Sequence, residues 1–323
     1  MSQDSRSPKP AKRAATKTRS FGSSSRENHD SSAYYARALA EAEISDDTTL
    51  NDSPVANEIF CHSAEDMHEL VDNSVALMVT SPPYHVGKDY DSDSTFEQYL
   101  EMMEQVFTET YRVLEPGGRA VINVANLGRR PYISLSSLIV EMMASIGFLM
   151  RGEVIWRKGK AASGSTAWGS WLSAANPTFR DLHEYLLCFS KGRFQRVRKG
   201  ESTIQRDEFL EATSSVWDIL PESANRVGHP APFPVALPRR FIELYTFKGD
   251  LVLDPFLGSG STAVAAVETG RHYIGYDTDP NYVAIAEERL DRAKATKAEA
   301  DAAAESIDEH AEQPVKEPAE EPS

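Results

Sequence analysis

The segment Leu251-Val252-Leu253-Asp254-Pro255-Phe256-Leu257-Gly258-Ser259-Gly260-Ser261-Thr262 constrains the fold more than any other. A short apolar run closed by an acid, a turn carrying two glycines and a helical pattern opening at Ser261 read as strand, tight turn and helix. The helix Ser261 to Thr269, the strand Tyr273-Ile274-Gly275-Tyr276-Asp277 and a helix over Asn281 to Ala293 complete a β-α-β unit. A strand apolar along its whole length is buried on both faces, which calls for a parallel sheet covered by helices.

The same rhythm runs through the first half. Glu58-Ile59-Phe60-Cys61 and Val75 to Thr80 read as strands, with a turn or two of helix expected at Ala64 to Leu70 between them. Phe96, Tyr99, Leu100, Met103, Val106, Phe107, Tyr111 and Leu114 recur at helical spacing, and Glu115-Pro116-Gly117-Gly118 is expected to stop that helix. Arg119 to Val124 is a strand, Ile133 to Ile146 a helix closed by Gly147, and Phe148 to Trp156 a strand. Between Arg157 and about Ser214 the rhythm breaks into Gly, Ser, Trp and Arg around one strand-like piece, Tyr185 to Phe189, before the helix Pro234 to Thr246. The reading is therefore a basic, flexible N-terminal arm (1–50), one α/β half (51–156), an inserted recognition region (157–215), a second half (216–293) and a solvated acidic tail (294–323) with at most a few helical turns.

At 323 residues and 41% hydrophobic content the chain can bury a sizeable core. Its formal net charge of −15 argues, taken alone, against binding nucleic acid, but positive charge is available locally. Two cysteines, Cys61 and Cys188, sit among apolar residues and read as buried side chains of a reducing compartment. No apolar run approaches the roughly 20 residues needed to span a bilayer. A soluble, cytoplasmic, nucleoid-associated protein is expected, monomeric or homodimeric. Neither His183-Glu184 nor Cys61, His62 and His68 offers a full ligand set at zinc spacing, so no metal is expected.

The two loops after strands carry the chemistry. After Asp254, the residues Phe256, Gly258 and Gly260 and the helix start at Ser261 and Thr262 let backbone approach a ligand at the carboxyl edge of a sheet. The third glycine of a dinucleotide fingerprint and the Gly-Lys-Ser/Thr of a triphosphate cradle are both missing. Asp277 stands where such folds hold ribose hydroxyls, or else caps the following helix. A cofactor with a ribose and no pyrophosphate is favoured, and S-adenosylmethionine is the common one.

The other loop, Ser81-Pro82-Pro83-Tyr84, is rigid and poor in donors, because neither proline has an N–H. It offers acceptors. An exocyclic amino group of a nucleobase is a weak nucleophile, since its lone pair is delocalised into the ring. Accepting its hydrogens with Ser81 and the Pro82 carbonyl would free that lone pair, and Tyr84 supplies a face for stacking.

Thr80-Ser81-Pro82-Pro83-Tyr84 together with Asp254 to Thr262 resembles the amino-methylating DNA methyltransferases, in the circularly permuted order called the β class, over about Asn57 to Arg292. Gly117 to Val124, His229-Pro230-Ala231-Pro232-Phe233-Pro234 and Ile274-Gly275-Tyr276-Asp277 match the same family. The resemblance implies a Rossmann-like S-adenosylmethionine-dependent fold, cofactor contacts from His229 and Phe233, and, because Ser rather than Asp opens the catalytic loop, N4 of cytosine over N6 of adenine. Two positions depart from the pattern. His62-Ser63, followed by Glu65 and Asp66, replaces the usual Gly-Asp beside the cofactor adenine, leaving Asp66 as a candidate there, and His85 follows Tyr84 where Asn is frequent.

Double-stranded DNA is the implied partner. Lys158, Lys160, Trp168, Trp171, Arg180, Arg193, Arg196, Arg198 and Lys199, in the region where the rhythm fails, are the expected DNA contacts. No nuclease motif is evident, so any restriction endonuclease partner would be a separate chain. Attack on cytosine C5 requires a thiolate, and neither cysteine lies in a Pro-Cys loop. A DNA-binding protein that had kept the fold without activity would have little need of both loops.

Overall fold

The computed structural model describes residues 43–84, 95–126, 128–129, 131–159, 169–222 and 233–311. From Ile44 onward the chain forms one compact unit. Its strands are β1 (Glu58–Phe60), β2 (Val75–Thr80), β3 (Leu114–Val124), β4 (Gly128–Arg129), β5 (Tyr132–Ile133), β6 (Phe148–Arg157), β7 (His183–Lys191), β8 (Val216–Asp218), β9 (Leu251–Asp254) and β10 (His272–Tyr276). The helices are α1 (Phe96–Val113), α2 (Leu135–Ile146), α3 (Arg206–Ala212), α4 (Ala236–Tyr245), α5 (Ser261–Glu268) and α6 (Pro280–Ala311). Eight strands make one sheet in the order β1-β10-β9-β2-β3-β7-β6-β8, and β4 and β5 form a separate ribbon. Within the large sheet only β7 runs against its neighbours.

Alternation along the strands explains the layers. Val75 and Met78 of β2, Ile122 of β3, Leu187 of β7, Leu253 of β9 and Ile274 of β10 pack on one face with Met103 and Phe107 of α1 and Ile139 and Met143 of α2. Leu77, Val79, Val121, Leu186, Val252 and Tyr273 point the other way, against Leu237 and Phe241 of α4, Ala263 and Val264 of α5 and Leu290 of α6. A period of two on a strand delivers successive side chains to opposite faces, so both faces are apolar and both carry helices.

Helix boundaries follow local chemistry. Thr95 caps α1 with a reciprocal bond pair to Gln98, and Gly147, at φ 109°, closes α2 in the left-handed region.

The structure departs from the sequence reading in four places. Ala64 to Leu70 forms turns rather than helix, fixed by Arg112, which donates to the carbonyls of Met67 and Leu70. The helix ends at Val113, as expected before Glu115, but Glu115 to Gly118 is not a loop ahead of a strand starting at Arg119: it is a bulge inside β3, where pairing with β2 jumps from Val75–Leu114 to Leu77–Arg119. Residues 183–191 of the expected insertion are a strand of the central sheet, between β3 and β6. Helix α6 continues to Ala311, past the expected end of the folded body at residue 293.

Cys61 is exposed, against the expectation of burial, while Cys188 is buried with its thiol pushed up to about 12 by desolvation. No helix among the described residues is long and apolar enough to cross a membrane.

Candidate active site

β2 and β9 are adjacent and parallel, so the loops that follow them emerge at the same edge of the sheet. The contact between them is direct. Thr80 Oγ1 donates to Asp254 Oδ1 at 2.6 Å across 174 residues of chain, and Thr262 Oγ1 donates to the carbonyl of Val79 at 3.3 Å. Ligands of open parallel sheets bind outside the carboxyl ends of the strands, and both sequence motifs stand at that edge.

In the glycine turn, Gly258 (φ 52°) and Gly260 (φ 83°) both adopt left-handed backbone. At Gly260 a side chain would also meet Ala286 Cβ of α6 at 2.8 Å, so this glycine serves helix packing as well as the turn. Asp277, just past β10, accepts from the Gly258 N–H at 2.8 Å and the Asp279 N–H at 2.9 Å. Its carboxylate therefore fixes the turn it was expected to share with a ligand. Ser261 and Thr262 are buried, and Ser261 Oγ accepts from Arg289 at 3.3 Å. With the Thr262 hydroxyl shared between the Val79 carbonyl and Asp254, what this point of the chain can present to a ligand is the N–H groups of the first turn of α5.

Asp254 is the buried acid of the site. Its partners are the hydroxyls of Thr80 and Thr262 and the Phe256 N–H at 3.1 Å, and desolvation outweighs them, pushing its carboxyl up to about 6. A cationic ligand is what such an acid lacks, and a ribose-bearing sulfonium fits that donor set. Phe256 packs at the margin of one core layer and Phe233 at the margin of the other. Asp66 is exposed and paired with His68 at 3.4 Å. The better-buried acid of that loop is Glu69, which accepts from Tyr276 Oη at 3.1 Å and pairs with His62 at 2.8 Å.

The Ser-Pro-Pro-Tyr loop is held from several sides. Pro82 is buried, and the Pro83 carbonyl accepts from Tyr99 Oη at 2.8 Å. Ser81 Oγ and Tyr84 Oη lie 3.0 Å apart. Asn123 Nδ2, from the end of β3, reaches Ser81 Oγ at 3.2 Å and Tyr84 Oη at 2.8 Å. Tyr84 Oη donates to Glu184 Oε2 at 3.2 Å, which also accepts from Asn123 Nδ2 at 2.6 Å. Burial and the Glu184 carboxylate raise the Tyr84 phenol well above its ordinary value, so it remains protonated.

Asn123 and Glu184 escaped the sequence reading. Glu184 reaches this edge because β7 runs antiparallel to β3 and starts where β3 ends.

The expected DNA contacts separate into groups. Lys158, partly exposed, lies beyond β6, opposite the start of β7, and forms an ion pair with Glu184. Trp171, 64% exposed, and Arg180 belong to the segment between β6 and β7, at the catalytic edge. Arg196 is a correction. It is buried in ion pairs with Glu115 at 2.8 Å and with Asp250, at the amino ends of β3 and β9, because two buried carboxylates require a cation.

Arg198 joins the same group through Glu115 at 2.5 Å, and Arg193 donates to the Asp47 carbonyl at 3.0 Å. Lys199 is exposed but follows them at that far edge. Lys160, Trp168 and His229 lie outside the described residues, as do His85 and 1–42 of the expected arm. No group of His, Cys, Asp and Glu able to hold a metal occurs among the described residues.

An α/β sheet with these two loops abutting defines a class of proteins that bring a nucleoside cofactor to an amino group. The family model described as DNA methylase, covering N6 and N4 methyltransferases, matches residues 75–288. The chain is 30% identical over 279 residues to the Type II methyltransferase M.MjaI of Methanocaldococcus jannaschii, covering 72% of this chain and 91% of that protein. It is equally similar, 30% over 271 residues, to the Type II methyltransferase M.MthZI of Methanothermobacter thermautotrophicus, covering 72% and 76%.

Among solved structures it resembles TTHA0409 of Thermus thermophilus, described as a DNA modification methylase and solved with S-adenosylmethionine. The TM-score is 0.60 and the identity 29%, over 73% of this chain and 94% of that one. PvuII cytosine-N4-specific DNA methyltransferase, at 20% identity and TM-score 0.56 over 75% and 90%, shares the fold.

The chain belongs to the N6/N4 DNA methylase family. It is an S-adenosylmethionine-dependent DNA methyltransferase that modifies exocyclic amino groups.

Proposed function

We propose that the chain methylates N4 of cytosine in a base turned out of double-stranded DNA. The observation that carries this reading is Ser81 at the head of the Pro-Pro-Tyr loop, with its hydroxyl tied to Tyr84 and Asn123. The family resemblance associates serine at this position with cytosine N4. Ser81 Oγ and the Pro82 carbonyl accept the hydrogens of the amino group, and Tyr84 stacks on the ring. Asp254 and Asp277, with Phe256, Phe233 and the start of α5, hold the cofactor, which when bound supplies a methyl group on a sulfonium. Alignment of the amino nitrogen with that methyl then carries much of the barrier.

The segment 169–182 is the proposed DNA contact. Leu172 and Phe179 are 88% and 95% exposed, beside Trp171 and Arg180. Exposed apolar side chains next to a base-binding site suit the wedge that fills the gap left by an extruded base. A separate endonuclease with the same target site is the proposed cellular partner.

Nucleoside mass spectrometry of unmethylated bacterial DNA incubated with the protein and S-adenosylmethionine tests the base assignment. N4-methylcytosine is the expected product, and N6-methyladenine in its place refutes it. Phe179→Ala is expected to weaken DNA binding with little change in its salt dependence. Arg180→Ala is expected to lower the salt slope by about 1.

A further inference from the structure

Glu184 is 6% exposed, stands at the catalytic edge, and is used by neither the cofactor loop nor the proposed base contacts. Its two oxygens are differently engaged: Oε1 faces Lys158, and Oε2 accepts from Tyr84 Oη and Asn123 Nδ2. A tyrosine hydroxyl has one hydrogen. With that hydrogen on Glu184, the 3.0 Å contact between Ser81 and Tyr84 must have the serine as donor, so hydrogens point from Ser81 to Tyr84 to Glu184. The Ser81 oxygen is left as an acceptor at the start of a directed chain that ends on a carboxylate.

We propose that Glu184 is a positioning residue that orients this chain and takes up, through Tyr84 and Ser81, the proton lost by the methylated amino group. The inference rests on the assignment of Ser81 as an acceptor for the target amino group. The balance is simple. The nitrogen exchanges one hydrogen for a methyl group that arrives with a positive charge, and that charge leaves as a proton. The proton goes from nitrogen to Ser81 Oγ, the serine proton to Tyr84 Oη and the tyrosine proton to Glu184, so both hydroxyls end as they began. Lys158, paired with Glu184, is itself partly exposed, which opens a route from the pair to water.

The test uses the full chain as wild type, Glu184→Gln, Tyr84→Phe and the double variant. Single-turnover transfer of labelled methyl to excess unmethylated bacterial DNA is measured, with S-adenosylmethionine affinity followed by calorimetry. Each single variant is expected to slow transfer by about 100-fold or more with cofactor affinity retained, the range of general acid-base contributions. The double variant should be no slower than the slower single, because both cut one chain. Wild-type rates in either single variant, or losses that multiply, overturn the proposal.

A readout independent of turnover is the Cζ resonance of ¹³C-labelled Tyr84, identified by its loss in Tyr84→Phe. It should move in Glu184→Gln, and an unmoved resonance refutes the bond. If Glu184→Gln does not fold, Tyr84→Phe still decides by its rate. Label found on adenine in place of cytosine would refute the base assignment, while the resonance would still report on the chain.

Discussion

Asp254→Asn should make the cofactor-free protein more stable at neutral pH and not at acid pH. Asp254 is 4% exposed and has hydroxyl and N–H partners but no cation among the described residues, and its carboxyl rises from 3.8 to about 6. At ~1.4 kcal/mol per pKa unit this amounts to about 3 kcal/mol. The sign follows from which state holds the proton. Below about pH 4 the acid is protonated in both states and its ionisation costs nothing. Between about pH 4 and pH 6 the unfolded chain ionises while the folded one keeps its proton, so stability falls as pH rises and levels off above the folded value. Asparagine does not titrate.

Its carbonyl can keep the bonds from Thr80 and the Phe256 N–H, and its amide can donate to Thr262, whose own hydrogen goes to Val79. Any constant cost of the exchange is independent of pH, so the slope is the quantity to read. Urea unfolding at steps from pH 4 to pH 8 should show the variant gaining about 3 kcal/mol on the wild type across that range. A difference flat with pH would refute the assignment of an uncompensated buried carboxylate. A site that retains such an acid at a cost to stability does so for function. Wild-type affinity for S-adenosylmethionine should accordingly rise with pH through about 6, and that of the variant should not.

Two further outcomes are expected. Arg196→Met strands Asp250 without its ion-pair partner and leaves Glu115 to Arg198, and should cost about 3–5 kcal/mol in urea unfolding, most of it recovered when Asp250→Asn is added, with DNA affinity unchanged. Ellman's reagent should titrate Cys61 alone in the native protein and both thiols in urea, because burial pushes Cys188 up to about 12 and closes it to reagent.

What was legible in the sequence was what neighbouring residues decide. The continuous apolar runs that made Val75 to Thr80 and Leu251 to Asp254 strands, and the glycines that made Gly258 and Gly260 a turn, are local signals that tertiary packing reinforced. Pro-Gly-Gly marked the end of the helix correctly, but that the strand already begins at Leu114 was not legible, because pairing with β2 and the ion pairs of Glu115 with Arg196 and Arg198 hold that segment as a bulge. The role of Asp277 was half legible, its carboxylate being spent on the turn that makes the site.

Strand direction had the largest consequence and left no local trace. The run Tyr185 to Phe189 has the same composition whether it lies parallel or antiparallel to β3. Running antiparallel, it delivers Glu184 to the catalytic edge and carries Arg193, Arg196 and Arg198 to the opposite one. Had it run parallel, the arginines would stand at the edge of the Ser-Pro-Pro-Tyr loop and Glu184 would be remote from Tyr84. A cluster of basic residues in sequence is therefore a statement about composition until the topology fixes its edge. In this chain the topology turns the arginines into fold-stabilising cations and leaves the less charged, more apolar segment 169–182 on the side of the sheet where β6 ends and β7 begins.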